Sequence, residues 1–264
     1  MKKILLTIIL IGLCGMSANA QLSKIKVDKV VNAAAKGVKS FTISDAEIIG
    51  YTSEYMKWMD AHNPVCKTTD KDKGMKAVAD RLAGIVSVIP EDLVKELNLN
   101  VSSYYVLDVN AFACANGDIR VFAALMDLMT DDEILAVIGH EIGHIVNKDT
   151  KDRFVTALRI SALKDAAGAV GGNTVATLTD SQLGDLAEAL GNAQYSQKQE
   201  NEADAYGYEL LKKCGKNPAN MASALGVLLK LQEEAGSPEN SKFQQLFSSH
   251  PDLKKRIETL NKRK

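Results

Sequence analysis

The sequence contains little histidine, little cysteine and no excess of charge of either sign. Its 264 residues include four histidines and four cysteines, and 32 basic residues nearly balance 33 acidic ones. The absence of a basic stripe excludes nucleic acid as a partner, and the sequence contains no internal repeat or low-complexity tract. A chain of this length can bury a hydrophobic core without disulfide bridges.

A long apolar run is found at the N-terminus. Residues 1–3 include two lysines, residues 4–13 are almost wholly apolar, and residues 18–20 read Ala-Asn-Ala. This order is typical of a secretory signal peptide, and the run is too short to form a stable membrane anchor. We therefore expect residues 1–20 to be cleaved during export, leaving the mature chain in the periplasm of a cell with two membranes.

Removal of the signal peptide would leave 244 residues with a net charge of −3, because two lysines and no acidic residue are lost. Cys14 is lost as well, and the bulky Leu13 before it does not suit lipid attachment. The odd number that remains, Cys66, Cys114 and Cys214, leaves at least one free thiol in an oxidising compartment. Which pair forms, if any, is open. Cys114 is either a redox sensor or, as is commoner, a small buried core thiol.

Two of the four histidines stand four residues apart, in the motif His140-Glu141-Ile142-Gly143-His144. On a helix this spacing places both imidazoles on one face, one turn apart, where they can bind the same metal ion. Glu141 then points toward that ion without having to bind it, which is the arrangement of a zinc hydrolase with a general base. The alternative is an amphipathic helix with two incidental histidines.

The residues around this motif predict a largely buried helix. Thr130 and Glu133 form a capping box, and the acidic first turn suits the positive end of the helix dipole. A wide apolar surface follows, made of Ile134, Leu135, Val137, Ile138, Ile142, Ile145 and Val146. A buried His-Glu-His face needs polar partners, and a metal ion would supply them.

Catalytic zinc requires a third protein ligand, with one position left for water. Glu200 and Asp204 lie four residues apart in a predicted helix over residues 196–213, which Ser196 caps. Glu200 is the candidate ligand, and Asp204 can accept a hydrogen bond from the far ring nitrogen of a ligand histidine. Glu202 points elsewhere and is expected to be solvated. The alternative is an ordinary acidic helix face.

The rest of the chain is predicted to be mostly helical. Helices are expected at residues 44–61 and 73–88 and in two segments of residues 150–192 separated at Gly171-Gly172, with a weak helix or linker at residues 22–39. Strands are expected at residues 101–109, 110–113 and 118–122, and a type I′ turn at Asn116-Gly117 joins the last two. His62 is expected at the surface.

Several motifs occur in an order found in one family of metallopeptidases. They are H-E-x-x-H at residues 140–144, E-x-x-A-D at 200–204, N-A-F-A at 110–113, the Asn116-Gly117 turn, and S-H-P with R-I at 249–251 and 256–257. With these motifs the chain resembles the gluzincins of the HtpX and CAAX prenyl protease family, most closely the soluble periplasmic branch typified by BepA and LoiP. The resemblance covers about residues 75–264.

Two segments depart from the family pattern. Cys114-Ala115-Asn116-Gly117 replaces a Leu-Pro-Gly-Gly-like sequence but preserves a hairpin turn, and Asn147-Lys148-Asp149 stands where relatives often have a histidine. Neither departure affects a proposed ligand. The membrane-spanning helices of the HtpX and prenyl protease branches are absent.

The resemblance implies an α+β, mainly helical fold. It predicts a zincin-type metallopeptidase domain whose small antiparallel sheet has an edge strand beside the H-E-x-x-H helix. We assign residues 1–20 to the signal peptide, 21–72 to an N-terminal helical segment and 73–264 to this domain. One Zn²⁺ per chain would be held by His140, His144 and Glu200, although manganese or cobalt could substitute.

The predicted reaction is hydrolysis of peptide bonds by a metalloendopeptidase. Glu141 would take a proton from the attacking water and pass it to the leaving amine. The substrate would extend along Asn110, Ala111, Phe112 and Ala113 as an added strand, which favours unfolded segments over a particular sequence.

The resemblance implies quality control of unfolded or misassembled envelope proteins, with association with outer-membrane assembly machinery. The alternative function is a periplasmic chaperone or assembly factor with latent or secondary protease activity. A purely structural zinc site would leave Glu141 without a role.

His250 lies at the predicted entrance of a last helix, where Pro251 suits the first helical position. In relatives an equivalent histidine lies close to the metal. The residue could stabilise the oxyanion, occupy the water position as a fourth ligand in a latent enzyme, or cap the helix. The sequence does not decide among these roles.

Overall fold

The computed structural model describes residues 43–164, 178–235 and 249–263. Within these ranges the chain forms ten helices and three strands. The helices are α1 (Asp45–His62), α2 (Lys73–Val86), α3 (Glu91–Glu96), α4 (Ala123–Leu128), α5 (Asp131–Val146), α6 (Asp149–Lys164), α7 (Asp180–Asn192), α8 (Gln197–Lys213), α9 (Asn220–Ala235) and α10 (Leu253–Asn261), and the strands are β1 (Asn100–Tyr104), β2 (Ala111–Ala113) and β3 (Asp118–Phe122). The mainly helical α+β class is therefore confirmed.

The longer helices agree with the sequence prediction to within about two residues. Helices α1, α2, α5 and α8 match their predicted ranges, α6 and α7 account for the two segments of residues 150–192, and the six-residue α3 and α4 were not predicted. The predicted signal peptide, the segment 22–39 and Gly171-Gly172 lie outside the described residues. No helix of the described ranges combines the length and the hydropathy needed to cross a bilayer.

The sheet has the strand order β1-β3-β2 and is mixed rather than wholly antiparallel. β2 runs antiparallel to β3 as a hairpin, whereas β1 pairs with β3 in parallel, from Asn100 opposite Asp118 to Tyr104 opposite Phe122. β1 stops at Tyr104 because β3 offers no further partner, so residues 105–109 of the predicted strand leave the sheet. β2 is an edge strand, as predicted, and it contacts α5.

The β2–β3 hairpin turns differently from the predicted type I′ turn. A type I′ turn needs positive φ at both central residues, but within this turn only Gly117 has one, at 93°. The backbone N–H of Gly117 donates to the carbonyl oxygen of Cys114 over 3.1 Å, closing a turn that ends in a left-handed glycine. A Cβ at this position would lie 2.4 Å from the carbonyl oxygens of Leu97 and Asn98, so the turn requires glycine.

Helices α5 and α8 approach each other at backbone distance. The capping boxes predicted at their first turns are both present, at Thr130 and at Ser196. A Cβ added to Gly143 of α5 would lie 2.8 Å from the Cα of Ala203 in α8, so only a hydrogen at this position permits the contact. This close contact, the α5–α8 seam, places the H-E-x-x-H motif of α5 next to the E-x-x-A-D motif of α8.

Two hydrophobic clusters make up the core of the described residues. The larger joins the sheet to α5, α8, α9 and α10, with Ile138 and Ile142 fully buried in it. The smaller joins α1 to α6 and α7 through residues such as Ile48 and Phe154, and it includes Cys114. Because α1 packs in this second cluster, the described residues belong to a compact unit that begins at Ile43.

The last helix begins later than predicted. α10 starts at Leu253, and its N-cap residue Asp252 has a left-handed φ of 65° without a side-chain capping bond. Pro251 therefore precedes the cap and is not in the first turn, which corrects the prediction. The reversal at Asp252 leaves His250 in the short segment ahead of the helix, where it turns into the interior and is 6% exposed.

Candidate metal centre

α5 places His140 and His144 on one buried face, as the four-residue spacing requires. Their Nε2 atoms lie 3.1 Å apart, and both side chains are nearly excluded from solvent. The seam with α8 brings Glu200 to the same point, with its Oε1 atom 3.3 Å from His144 Nε2. The structure thus brings the three predicted ligands together from two helices.

His250 joins them from the segment before α10. Its Nδ1 atom lies 3.3 Å from His140 Nε2 and 3.0 Å from Glu200 Oε1. Each of the four side chains offers one ligand atom within 4.8 Å of all the others. Four-coordinate zinc holds nitrogen and oxygen at about 2.0–2.2 Å, which places its ligand atoms roughly 3.3–3.6 Å apart. The four separations measured between neighbouring donors, 3.0 to 3.3 Å, are near this range.

Two carboxylates orient the histidines through hydrogen bonds to the Nδ1 atoms, which face away from the centre. Asp204 Oδ1 lies 2.9 Å from His140 Nδ1, as predicted, and Asp149 Oδ2 lies 2.9 Å from His144 Nδ1. A carboxylate can only accept, so each Nδ1 donates and each Nε2 presents a lone pair to the centre. Asp149 was not predicted as a partner. It returns over His144 because Lys148 adopts a left-handed φ of 64° between α5 and α6.

Arg256 of α10 connects two of the acidic residues of α8, Glu200 and Asp204. Its guanidinium donates to both oxygens of Asp204, over 2.8 and 2.6 Å, and forms an ion pair with Glu200. Burial raises the pKa of the Asp204 carboxyl, but the guanidinium outweighs burial and holds that pKa below its ordinary value. Asp204 therefore remains an acceptor for His140.

The donor set fits a metal ion. The Nε2 atoms of His140 and His144 lie 3.1 Å apart in a buried site, a separation that either a shared proton or a cation bound by both nitrogens satisfies. Although burial opposes it, the nearby carboxylates of Asp149 and Glu200 raise the pKa of His144 to about 9, so the local field attracts positive charge. Imidazole nitrogen with one carboxylate is a donor set typical of zinc.

Glu141 lies in the same turn as the two histidines. Its side chain is 3% exposed, and burial raises the pKa of its carboxyl above the ordinary value. Its Oε1 atom lies 3.8 Å from His250 Nε2, so the residue borders the centre. This placement suits the predicted general base, whose role stays a prediction.

Tyr195 is a neighbour of the centre that the sequence did not indicate. Its ring stacks on that of His144, with centroids 3.8 Å apart and an interplanar angle of 11°. Its backbone N–H donates to the carbonyl oxygen of Ser249, which ties the loop before α8 to the segment that presents His250. A single tyrosine in a loop gives no pattern from which this stacking could be predicted.

The remaining predicted residues are placed as follows. Ala111, Phe112 and Ala113 form the edge strand β2, and the Asn110 side chain accepts a hydrogen bond from the Ala111 N–H; substrate binding there stays a prediction. Glu202 and His62 are exposed, as expected.

The three cysteines of the described residues are free. Cys66, Cys114 and Cys214 form no disulfide. Cys114 lies in the core, where burial raises the pKa of its thiol to about 12, so the core-thiol interpretation of this residue holds.

A helix bearing H-E-x-x-H, a glutamate from a second helix and an edge strand beside them define a zincin-type metallopeptidase. The sequence matches the Peptidase family M48 over residues 71–264. It is 35% identical to the metalloprotease LoiP of Escherichia coli over 97% of this chain and 92% of that protein, and 32% identical to the E. coli metalloprotease YcaL over 90% and 88%. A protease HtpX homologue of Salinibacter ruber is 31% identical over 57% of this chain and 63% of its own length.

The chain therefore belongs to peptidase family M48. This membership confirms the predicted resemblance and the enzyme class, a metal-dependent endopeptidase.

Proposed function

We propose that this protein is a zinc-dependent endopeptidase in which His140, His144 and Glu200 hold the ion. The observation that supports the ligand set is the close convergence of buried donors, with His140 and His144 each oriented by its own carboxylate. Zinc bound there would supply a Lewis acid that polarises the peptide carbonyl and acidifies a water molecule.

The residues of the chain supply the remaining functions. Glu141, buried beside the centre, takes a proton from the attacking water and delivers it to the leaving amine. A raised pKa suits this exchange, because the carboxyl then binds and releases the proton more evenly near neutral pH. Asp204 and Asp149 keep the imidazoles in the ligating tautomer, and Arg256 keeps Asp204 in place.

His250 acts in this proposal as a fourth ligand in a latent resting state. Of the roles open from the sequence, this one accounts for the Nδ1 atom lying inside the donor cluster, 3.0 Å from Glu200 Oε1, where a water molecule would otherwise bind. An oxyanion donor would stand beside the scissile carbonyl, outside the ligand tetrahedron. Movement of the segment before α10 would then open the centre.

The proposed substrates are unfolded or misassembled proteins of the cell envelope. β2 is three residues long and lies at the edge of the sheet beside α5, so an extended peptide can add to it through main-chain hydrogen bonds. Such pairing selects for an accessible backbone more than for sequence. Export through the signal peptide of residues 1–20 would bring the enzyme to these substrates in the periplasm.

Digestion of casein by the zinc-loaded chain tests this function. We expect cleavage that is lost in Glu141→Gln and retained in Glu202→Gln, a matched change at an exposed glutamate of α8. His250→Ala should keep zinc and cleave faster than the unsubstituted chain if His250 is the latch. Zinc-loaded chains that leave casein intact, His250→Ala included, would contradict the proposed activity.

A chaperone or assembly function is the second candidate, favoured by the same latch geometry. A centre closed by His250 binds clients at β2 without cutting them. If this function dominates, Glu141→Gln should suppress aggregation of an unfolded client as well as the unsubstituted chain does. Loss of suppression in that variant would contradict it.

A further inference from the structure

A cavity opens between the edge strand and α6, beside the metal centre. Aromatic side chains such as Tyr55, Phe112 and Phe154 line much of it. Tyr195 also lines it, and the same ring stacks on His144. The cavity therefore shares the Tyr195 side chain with the surroundings of a predicted metal ligand.

Arg153 of α6 brings a positive charge to this wall, which mixes aromatic and polar side chains. One of its Nη atoms donates to the carbonyl oxygen of Leu190, and its guanidinium lies over the Tyr195 ring, 4.7 Å from the centroid. Its Nε atom is buried and has no hydrogen-bond partner. Within the described part of the chain, no carboxylate lies within ion-pair distance of this guanidinium, and the Glu141 carboxylate acts on it only from a longer distance.

The two fully buried arginines of the described ranges differ from Arg153, which is only partly buried. Arg120 pairs with Asp60 and with a second aspartate, and Arg256 pairs with Asp204 and Glu200. A partly shielded cation that contacts no carboxylate is less favourable than a paired one, and the planar guanidinium fork matches a carboxylate well. The Arg153 cavity thus has the charge and the donors for a carboxylate but lacks the carboxylate itself.

We propose that the Arg153 cavity binds a carboxylate of the peptide substrate, close to the scissile bond. The carboxylate belongs either to an Asp or Glu side chain or to the C-terminus of the peptide. A strand added to β2 turns alternate side chains toward the protein, and Phe112 of β2 lines the cavity that would receive one. This inference rests on the proposed peptidase function and names its substrate class.

Cleavage of matched fluorogenic peptides tests the proposal. One set moves a Glu-for-Gln exchange along the positions flanking the cut site, and a second compares a free C-terminus with its amide. We expect kcat/KM for one Glu or free-acid peptide to exceed that of its uncharged partner by about tenfold, as a buried charged hydrogen bond provides. The first set supports a side-chain carboxylate, and the second supports a terminal one.

Substitutions identify the residue responsible. The preference should disappear in Arg153→Met and persist in Lys151→Met, which removes an equal charge from the same helix but from a side chain paired with Asp45. Arg153→Lys should keep part of it. Thermal unfolding of Arg153→Met, measured beside Lys151→Met, shows whether the variant is folded and the comparison valid. If Arg153→Met does not fold, Arg153→Lys serves as the test variant, and a reduced preference is the expected result.

Binding provides a second readout that does not require turnover. Labelled Glu peptides should bind the zinc-loaded Glu141→Gln chain about tenfold more tightly than Gln peptides, again only with Arg153 present. Equal binding and equal cleavage of charged and uncharged peptides, or a preference that survives in Arg153→Met, would overturn the cavity proposal while leaving the peptidase intact. Absence of any Glu141-dependent cleavage would instead overturn the proposed function.

Discussion

Replacement of Arg256 by methionine should destabilise the metal-free protein by about 3–5 kcal/mol, the usual effect of removing one partner of a buried ion pair. The side chain is 1% exposed, and the change leaves Asp204 without two short hydrogen bonds and Glu200 without its cation. Methionine replaces the apolar stem, so the loss comes mainly from two uncompensated buried carboxylates. For a domain of this size the midpoint of thermal unfolding should fall by roughly 6–20 °C.

Urea unfolding followed by circular dichroism, in EDTA, measures this change. Arg263→Met is the matched control, because Arg263 is exposed just beyond the same helix and its guanidinium lies over the Tyr208 ring, 5.8 Å from the centroid. That control should differ from the unsubstituted chain by less than about 0.5 kcal/mol. Arg256→Lys keeps the charge but loses the planar guanidinium fork, so its free energy of unfolding should lie between those of Arg256→Met and the unsubstituted chain. A loss below about 1 kcal/mol in Arg256→Met would refute the view that this residue neutralises the two carboxylates.

Three further predictions follow from other contacts. Asp149→Asn should weaken zinc binding about 10–100-fold in chelator competition, because His144 loses its orienting carboxylate, and an unchanged affinity would contradict that role. Gly143→Ala should destabilise the protein by about 1–3 kcal/mol in thermal or urea unfolding, because its Cβ meets the α8 backbone, whereas Gly184→Ala, with nothing within 4 Å, should not. Burial raises the pKa of Asp60, but hydrogen bonds from Arg120 and Tyr104 outweigh it and lower that pKa below 3.8, so Asp60 stabilises the fold above pH 3.8 and this contribution is lost as pH falls through the lowered pKa. Urea midpoints of Asp60→Asn should accordingly depend less on pH in that acidic range than those of the unsubstituted chain.

The elements that the sequence predicted well are those whose signals are local. Capping boxes at Thr130 and Ser196 and the four-residue spacing within each motif determine where α5 and α8 begin and which side chains share a face. Because His140, His144 and Glu200 lie on those two helices, their convergence followed once the helices were known to pack together.

The features that were missed depend on contacts between distant segments or on single backbone angles. The parallel pairing of β1 with β3 and the stacking of Tyr195 on His144 join residues that no local pattern connects. The left-handed residues Lys148 and Asp252 redirect the chain at points where the sequence predicted continuity or a helix start. Each redirection delivers a side chain to the centre, Asp149 in one case and His250 in the other.

Because Gly143 and Ala203 are in close contact, the position of the centre depends on the backbone of the two helices, whereas its metal preference depends on the ligand side chains. The distance between the two motif helices is fixed by main chain against main chain, so no ligand side chain is needed to maintain it. Exchange of the donor at Glu200 for another ligating residue would accordingly alter which ion is preferred while leaving the ion's position unchanged. Variation in metal selectivity among proteins built on this pair of helices can therefore arise by single substitutions, without any rearrangement of the scaffold.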